Sequence, residues 1–512
     1  MRGALYTEPQ DGVRVETEPG EVQEQPSAEA GESVGIVYGE IGTQDFTCSV
    51  TAPLERMDYV QVKHESYGNM LCQVMEVERH SDLSEERALR LANGQPMPIN
   101  ERIRARVNVV GYRDDRGLLQ SPGTPVRTGE LVYKAEDSLI KKVLGLKAGE
   151  KTGAYVGLLK GHDMQVLLDI NFLVNKHMSI LAMTGGGKSY MSGVVIEELM
   201  KHNVTVVIVD PHGEYSTMAH QGKTDDMCRR FGVTPRGYAD KISEFSPDTK
   251  SNPHAKPLKF TLANMEAREL LSVLNVKDIK RVLPTLKSAI ETLRTAKPNY
   301  TIDDVINILD ANEDVDCGNL IADLQYLKEA NIFAANGTKI SDIVQKGKTT
   351  ILNMRGVPAD TAQLVVKRIA TALYELAKLK EVPPMMVLFE EAHNYCPQGE
   401  ATDCSKIIRT LAQEGRKFGL GLCIITQRPA RVDKNVLSQC NTQIILKINN
   451  PLDLKAVTSS IEGLTPGMDD TIQRLPIGMA LVSGGGLGFP MIVEVRPRET
   501  KHGGESIKVI ED

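Results

Sequence analysis

The sequence predicts two folded parts: a small N-terminal β-barrel, followed by an α/β domain built on a parallel sheet. Between residues 33 and 115, short β-branched or alternating runs are separated by turn residues, with no long helical pattern between them. From about residue 155, continuous apolar runs alternate with amphipathic helical patterns, which indicates parallel strands covered on both faces. A chain of 512 residues needs more than one core, because single cores stop growing at ~250–300 residues.

The barrel is predicted from five short runs, too closely spaced to be joined by crossover helices. These strands are Val34–Ile41, Asp45–Thr51, Tyr59–Glu65, Met70–Glu78 and Ile103–Tyr112. Ser84–Leu91 is predicted as a helical insertion within this domain, and residues 116–150, which contain Gly and Pro, as a linker.

The α/β domain is predicted to span residues 151–495. Its central strands are Ser179–Met183, Val204–Val209, Thr350–Asn353, Met385–Phe389, Leu420–Thr426 and Gln443–Ile448. The helices that alternate with them are Lys188–Lys201, Asp360–Lys380 and Thr402–Phe418. Between about 262 and 344 several amphipathic patterns follow one another without a strand, which predicts an inserted helical bundle. Two short strands, Met479–Ser483 and Met491–Val495, precede residues 496–512, a segment so polar that it is predicted as a tail.

The charge, the cysteines and the apolar runs of the sequence argue against several classes of protein. Residues 1–32 are acidic and are predicted to be disordered, and they carry −6 of the net charge of −7. The rest of the chain has no bulk basic field, so any nucleic acid must be held by a local stripe such as the lining of a pore. None of the eight cysteines has CxxC spacing, and no apolar run approaches the ~18 residues that span a bilayer. We therefore expect buried reduced thiols in a soluble, cytoplasmic protein that does not bind membranes.

A glycine-rich loop, AMTGGGKS at residues 182–189, joins a predicted strand to a predicted helix. Consecutive glycines let the backbone wrap closely around a polyphosphate, while the lysine meets the β and γ phosphates and the serine hydroxyl binds Mg²⁺. The N-terminus of the helix also favours anions. Although the usual first glycine is Ala182, the pattern predicts a P-loop for ATP and Mg²⁺ rather than an ordinary Gly-rich turn. The predicted nucleotide-binding residues are Lys176, Thr184, Gly185, Gly186, Gly187, Lys188, Ser189 and Tyr190.

Two adjacent acids, Glu390 and Glu391, end the apolar strand Met385–Phe389, as in a Walker B element. Glu390 is predicted beside Mg²⁺ together with Ser189, and Glu391 is predicted to polarise the attacking water. A glutamate at this position favours a motor-type hydrolase over a P-loop kinase or GTPase. Two surface acids at a strand end are the alternative.

Three further sites are candidates at the ends of strands and helices. Gln427, which follows the strand Leu420–Thr426, is predicted to sense the γ-phosphate and the attacking water, or to be a structural side chain. Arg416, with Lys417, is predicted to reach a neighbouring subunit as an arginine finger, or to complement a helix C-terminus. Asp210 either orients water or caps a turn.

These motifs together resemble the archaeal HerA family of the HerA–FtsK group of P-loop ATPases. The matching segments are AMTGGGKS, DPHGEY, LFEEAHNYCP, EGRKFG, IITQRP and VRPRETKHGG, within a resemblance that spans roughly residues 33–505. It implies an α/β RecA-like P-loop ATPase core with an inserted helical bundle, preceded by a small N-terminal β-barrel. It further implies a homohexamer that translocates along and unwinds double-stranded DNA, and that acts with a NurA-type nuclease in end resection for recombinational repair. The C-terminal segment would lie across a subunit boundary.

Other functions stay open on sequence alone. A motor of the same group could serve a different effector in antiviral defence, or pump DNA in conjugation, although conjugation pumps usually carry a membrane anchor. A ring ATPase that remodels proteins would not respond to duplex ends. A nucleotide-gated scaffold would not need Glu391 and Arg416. Candidate DNA contacts are Lys406, Arg409, Arg428 and Arg431, although an ordinary solvated helix face is the favoured interpretation for any one of them.

Overall fold

The computed structural model describes residues 32–146, 151–271, 274, 279–297, 299–312, 316–400, 402–461 and 467–504. Of the acidic segment 1–32, which is predicted to be disordered, residues 1–31 lie outside the described residues. The chain divides into two compact units. The first contains residues up to Val109 together with Pro122–Ala135, and the second contains Val110–Ser121 and the chain from Glu136 onward.

The first unit is a closed antiparallel barrel, which confirms the predicted N-terminal fold. The strands of this part of the chain are β1 (Ser33–Ile41), β2 (Asp45–Val50), β3 (Tyr59–His64), β4 (Gly68–Ser81), β5 (Glu101–Arg113), β6 (Leu119–Gln120) and β7 (Leu131–Lys134). The order around the barrel is β2-β1-β7-β3-β4-β5, and pairing of β2 with β5 closes it. Closure leaves no unpaired edge on the barrel strands. Helix α1 (Glu85–Ala92), the predicted helical insertion, begins at Ser84, whose hydroxyl accepts the Arg87 N–H.

The segment 116–150, predicted as a linker, instead carries β6, β7 and helix α2 (Asp137–Leu144). Strand β7 completes the barrel between β1 and β3, with Leu131 opposite Ile36 and Val132 opposite Val62. Only four residues long and paired with strands far away in the sequence, β7 gives almost no local periodicity by which it could be predicted.

The second unit contains, among its described residues, a twelve-stranded sheet in the order β13-β12-β14-β11-β15-β16-β10-β17-β18-β19-β8-β9. These strands are β8 (Gly153–Leu159), β9 (Gln165–Asp169), β10 (Met178–Leu181), β11 (Thr205–Asp210), β12 (Ile242–Ser246), β13 (Lys256–Pro257), β14 (Thr349–Asn353), β15 (Met385–Phe389), β16 (Leu420–Thr426), β17 (Thr442–Ile445), β18 (Met479–Ser483) and β19 (Met491–Val495). The run from β13 to β17 is parallel, as predicted, whereas β17, β18, β19, β8 and β9 pair antiparallel.

The helices of this unit pack on and around the sheet. After α2, they are α3 (Ile170–Lys176), α4 (Lys188–Lys201), α5 (Asp226–Phe231), α6 (Ala267–Leu271), α7 (Ile279–Ala296), α8 (Ile302–Asp310), α9 (Gly318–Glu329), α10 (Ile340–Ile343), α11 (Ala359–Lys378), α12 (Asp403–Glu414), α13 (Lys434–Leu437), α14 (Pro451–Thr458) and α15 (Met468–Arg474). Short 3₁₀ turns cover Ser216–Ala219, Leu262–Asn264, Ala392–Asn394, Gly415–Phe418 and Pro429–Arg431. No helix in the described chain is long and apolar enough to cross a membrane.

The predicted helical insertion is confirmed in its described part. Helices α6 to α9 share one apolar core, in which Leu286, Val305 and Leu324 are fully buried. Helix α8 is fixed at its start by a capping box between Thr301 and Asp304. The insertion therefore has a core of its own beside the sheet.

The parallel arrangement decides where functional side chains meet. Every residue of β10, β11, β14, β15, β16 and β17 is buried, so both faces of this part of the sheet are covered. The carboxyl ends of these strands share one edge of the sheet, which we call the carboxyl edge. The segments that precede β10 and β16 lie at the opposite edge, which we call the amino edge.

The C-terminal segment is not the polar tail that its composition predicts, at least over the described residues 496–504. Arg496 is fully buried, and Arg498, Glu499 and Thr500 are also buried. Arg496 donates to Glu197 (2.9 Å) and Glu198 (2.7 Å) of α4 in the same chain. Charged residues can be buried when they are paired in this way, which a reading of hydropathy alone does not anticipate.

Candidate active site

The P-loop lies at the carboxyl edge, between β10 and the first residue of α4. Gly185 and Gly187 have φ of +74° and +91°, a conformation that side chains rarely adopt. A Cβ added to Gly186 would lie 3.0 Å from the Met183 carbonyl oxygen. The loop is fixed to the neighbouring strand by the Met183 N–H, which donates to the Lys447 carbonyl (2.8 Å). The glycines thus produce a tight loop at the N-terminus of a helix, suited to a polyphosphate.

Lys188 joins the P-loop to the two acids that follow β15. Its ammonium contacts Glu390 Oε1 and lies 2.9 Å from Glu391 Oε1. The three side chains are nearly enclosed, with 10%, 1% and 5% of their surfaces exposed. Burial alone would lower the pKa of Lys188, but the two carboxylates raise it above its ordinary value, so the ammonium stays protonated.

Glu390 is held from a second direction by Tyr215. The Tyr215 hydroxyl donates to Glu390 Oε2, and the tyrosine is almost completely buried. Burial raises the pKa of Glu390, against the opposing effect of Lys188. Both oxygens of Glu390 therefore have protein partners, and Lys188 must move before Oε1 can face a ligand.

Glu391 has an unusual backbone for a residue with a side chain. Its φ of 49° and ψ of 49° place it in the left-handed region, which costs of order 1–3 kcal/mol and is found preferentially at functional sites. Its Oε2 is buried without a hydrogen-bond partner among the described residues, and it lies 3.3 Å from Nδ1 of His393. His393 Nδ1 is also 3.0 Å from Thr426 Oγ1, so this ring connects the acid to the end of β16.

The protonation of His393 follows from these contacts. Burial lowers the pKa of His393, and Arg428 and Arg431 lower it further, against the raising effect of Glu391. The ring is therefore neutral near pH 7. Because the carboxylate can only accept, the tautomer with hydrogen on Nδ1 fits the site.

Gln427 faces the P-loop. Its Oε1 accepts a hydrogen bond of 2.5 Å from the Thr184 hydroxyl, across the gap between β16 and the loop after β10. The preceding Thr426 is buried, and its hydroxyl oxygen accepts the Arg428 N–H (3.0 Å). The amide of Gln427 thus lies beside the loop that would hold the phosphates.

Asp210 proves to be a turn cap. Its Oδ1 accepts the Gly213 N–H (2.8 Å) and the His212 N–H (3.2 Å), and its Oδ2 accepts the Tyr215 N–H (3.1 Å). These bonds fix the turn that carries Tyr215 to Glu390. Of the two roles considered for Asp210, the structure supports the structural one.

The donor set fits a magnesium ion bound together with nucleotide. In the described part of the chain the Ser189 hydroxyl has no hydrogen-bond partner, and it lies in the first turn of α4 next to Lys188. Glu390 would be the second ligand if Lys188 moved away to the phosphates. A hydroxyl and one carboxylate, completed by phosphate oxygens and water, are the ligands that Mg²⁺ uses in such sites.

Three predicted residues lie at the amino edge instead. Arg416 and Lys417 are exposed in the 3₁₀ turn before β16, and the length of that strand, about 20 Å, separates them from the P-loop of their own chain. Lys176 ends α3, and its carbonyl accepts the Asn441 N–H (3.1 Å) before β10 begins. The prediction that Lys176 contacts phosphate in its own chain is therefore wrong, because β10 carries the chain away from it to the other edge.

Tyr190 and the C-terminal segment meet on the first turn of α4. The Tyr190 hydroxyl accepts the Arg498 N–H (3.0 Å), and its ring packs edge-on against His502 at 5.5 Å. The Lys501 carbonyl accepts the Thr217 hydroxyl (3.0 Å) beyond Tyr215. The described C-terminal segment thus ties the helix behind the P-loop to the turn that carries Tyr215.

Sequence reasoning missed the roles of Tyr215 and His393. Both belong to the motifs DPHGEY and EEAHN of the sequence. A tyrosine or a histidine in a sequence does not by itself indicate that it positions a carboxylate. The only available signal was their place just beyond adjacent parallel strands, which brings them to the carboxyl edge.

Comparison with known proteins gives consistent matches. Residues 154–373 match the central domain of helicase HerA, and residues 364–499 match the HerA-like C-terminal helicase domain. The chain is 28% identical to a probable helicase of Methanocaldococcus jannaschii over 94% of both chains. It is 27% identical to the DNA double-strand break repair helicase HerA of Pyrococcus furiosus, over 94% of this chain and 96% of that one. A solved structure, VirB4 of Thermoanaerobacter pseudethanolicus, covers 67% of this chain with a TM-score of 0.47 at 14% identity, and 96% of that chain is matched.

Proposed function

We propose that this chain, which belongs to the HerA helicase family, is an ATP-driven motor that translocates along double-stranded DNA and unwinds it. The observation that carries the proposal is the Lys188 ammonium, held between Glu390 and Glu391 under a P-loop. A P-loop lysine beside two acids at a strand end is the set of side chains that a nucleotide hydrolase uses. The relatives that match this chain over nearly its whole length are named as helicases.

The contacts support a sequence of events at the site. When ATP binds, its phosphates compete for Lys188, and the ammonium leaves the two acids for the P-loop. Glu391 then loses its cationic partner and is free to take a proton from the attacking water, while His393 keeps the carboxylate facing the phosphate side. Gln427, released from Thr184, orients that water. Mg²⁺, when bound at Ser189 and Glu390, supplies charge neutralisation on the phosphates.

We further propose that the motor is a homohexamer in which Arg416 completes a neighbour's site. Arg416 is exposed, lies too far from its own P-loop to act there, and has no side-chain partner among the described residues. Lys417 is next to it and shares the role. Mixing Arg416→Ala subunits with Lys188→Ala subunits should restore part of the ATPase activity, because some interfaces then contain two intact partners. If the mixture is as inactive as its components, Arg416 does not act in trans.

The partner we propose is a NurA-type nuclease, with which the motor resects DNA ends for recombinational repair. The barrel offers a surface for it, because Ile36, Tyr38 and Leu131 are 38–40% exposed, whereas Val37 and Val132 beside them are buried. Ile36 and Leu131 are directly paired across β1 and β7, so these side chains form one apolar patch.

The patch can be tested in the full chain. Replacing Ile36 and Leu131 by glutamate should abolish binding of purified nuclease, whereas glutamate at Leu89, an exposed leucine on α1 of the same unit, should not. Equal binding by both variants would refute docking at this patch.

The central proposal is tested by the ATPase rate with and without linear duplex DNA, measured together with the mass of the assembly. We expect duplex DNA to stimulate hydrolysis by a ring, and Lys188→Ala to abolish hydrolysis while the ring still forms. A ring whose ATPase ignores DNA but responds to protein substrates would identify a protein remodeller instead.

A further inference from the structure

The loop after β16 carries three cations that the active site does not use. Arg428, Arg431 and Lys434 are all exposed, and none of their side chains has a hydrogen-bond or ion-pair partner among the described residues. A 3₁₀ turn spans Pro429–Arg431 and is closed by the Arg431 N–H, which donates to the Arg428 carbonyl (2.9 Å), so Arg428 and Arg431 stand at the two ends of one tight turn. Lys434 follows after three more residues, at the start of α13. We call these three side chains the cationic ridge.

Neighbouring acids do not neutralise the ridge. Asp433 is buried and pairs with Arg409 (2.5 Å), while its other oxygen accepts the Asn435 N–H (2.8 Å). Asp453 is half-buried, and one of its oxygens accepts the Ala430 N–H (2.9 Å). The acids in this loop are thus occupied in fixing its backbone, and the three cations face outward without partners.

The other two cations considered as DNA contacts already form ion pairs within the chain. Lys406 pairs with Asp403 (2.9 Å), and Arg409 pairs with Asp433. Of the four residues predicted from the sequence as candidate DNA contacts, only Arg428 and Arg431 remain unpaired, and the structure adds Lys434.

The ridge has a rigid base at the carboxyl edge, beside the catalytic acid. The Gln398 N–H donates to the Arg431 carbonyl (2.8 Å), and the Lys434 N–H donates to Gln398 Oε1 (2.8 Å). The Arg428 N–H donates to Thr426 Oγ1, the same oxygen that lies 3.0 Å from the His393 ring. A ligand on the ridge is therefore two hydrogen-bonded steps from the residue that positions Glu391.

We propose that Arg428, Arg431 and Lys434 bind the sugar-phosphate backbone of duplex DNA. The inference rests on the proposed function and names the residues by which this chain holds its substrate. Unpaired guanidinium groups on a fixed backbone suit phosphate oxygens, and contacts of this kind carry no base specificity. A phosphate of bound nucleotide has the same chemistry and is the competing source.

The test is the salt dependence of binding to a fluorescent linear duplex, measured by anisotropy on the full chain. Each phosphate contact contributes about −0.9 to the slope of log K against log salt. The double variant R428A/R431A should lose about two contacts, so its affinity loss between about 50 and about 200 mM salt should be about ten-fold smaller than for wild type. The charge-matched control K287A/K328A removes two exposed cations that are already ion-paired, and it should keep the wild-type slope.

Further variants and ligands separate the outcomes. R428K/R431K keeps both charges and should recover most of the slope, which a merely misfolded loop would not do. If R428A/R431A keeps the wild-type slope of log K against log salt, or if the control variant loses as much slope, the proposal that the cationic ridge binds DNA is overturned. Weaker binding of ATP with unchanged binding of DNA assigns the ridge to nucleotide and also overturns it. If wild type itself fails to bind duplex DNA, the proposed function fails rather than the ridge alone.

Discussion

Replacing Arg496 by methionine should destabilise the second unit much more than the removal of an exposed charge. Its guanidinium donates to the Tyr155 and Pro497 carbonyls, both at 2.8 Å, and to Glu197 and Glu198, and no part of the side chain reaches solvent. Methionine would remove the cation that two buried carboxylates share, and would leave Glu198 with Lys201 (2.6 Å) and Glu197 with the more distant Arg498 (3.7 Å). Loss of one partner from a buried ion pair costs about 3–5 kcal/mol. For a unit of this size about 1–2 °C of melting temperature is lost per kcal/mol, which gives a decrease of about 3–10 °C.

Differential scanning fluorimetry of R496M, R496K and R230M measures this effect. Arg230 also makes two contacts of 2.7 Å with one glutamate, Glu494, but its side chain is 47% exposed. R230M should therefore cost less than about 1 kcal/mol. R496K keeps the positive charge but lacks the planar guanidinium group that donates to several acceptors at once. Its melting temperature should fall between those of R496M and R230M. If R496M melts within a degree of wild type, or no lower than R230M, the C-terminal segment is not a structural part of the core.

The remaining predictions concern the active site and its surroundings. E391Q should bind ATP with near wild-type affinity but hydrolyse it about 10²–10⁴-fold more slowly, because the proton acceptor is lost, and normal turnover would place the base elsewhere. H393A should lower kcat and leave KM for ATP nearly unchanged, since His393 touches Glu391 and not the phosphate loop, and H393N should recover part of the rate; a change in KM alone would contradict this role. Burial lowers the pKa of His177 to about 4, so the unfolded chain binds the proton first, and stability should fall by up to about 3 kcal/mol as pH drops from about 6.5 to about 4. H177Q should flatten that pH dependence of the melting temperature, and an equally steep decrease in H177Q would show that other groups cause it.

The sequence predicted the structure best where the local pattern of apolar residues matches the position of the element in the fold. Met385–Phe389, Leu420–Thr426 and the helix Lys188–Lys201 have the predicted bounds, because continuous apolar runs between turn signals are typical of buried parallel strands. The convergence of the P-loop, Glu390 and Gln427 then follows from the shared direction of their strands. The core of the candidate site was therefore predictable from residue order alone.

What could not be predicted depends on contacts between distant parts of the chain. Strand β7 is a strand only because β1 and β3 flank it. Arg496 is buried only because Glu197 and Glu198 on α4 neutralise it, and its sequence neighbours are polar. The position of Lys176 was misjudged because nearness in sequence to the P-loop was taken as nearness in space, across a strand that spans the sheet.

The pairing of His393 with Glu391 shows a different limit. Histidine after a Walker B acid has no fixed role, and only the left-handed backbone at Glu391 and the neighbouring β16 bring Nδ1 to the carboxylate and to Thr426. Side-chain geometry of this kind is decided by a turn of three residues. The periodicity and composition of the sequence do not predict side-chain contacts at this level of detail.

The most direct test of the motor is ATP-dependent displacement of streptavidin from the biotinylated end of a linear duplex. A translocase that moves along duplex DNA pushes the block off the end, which neither a protein remodeller nor a nucleotide-gated scaffold can do. We predict displacement by wild type with ATP and Mg²⁺, and none by K188A, whose P-loop lacks the cation that meets the phosphates. Intact streptavidin complexes in the presence of wild-type protein that hydrolyses ATP, or equal displacement by K188A, would contradict the account.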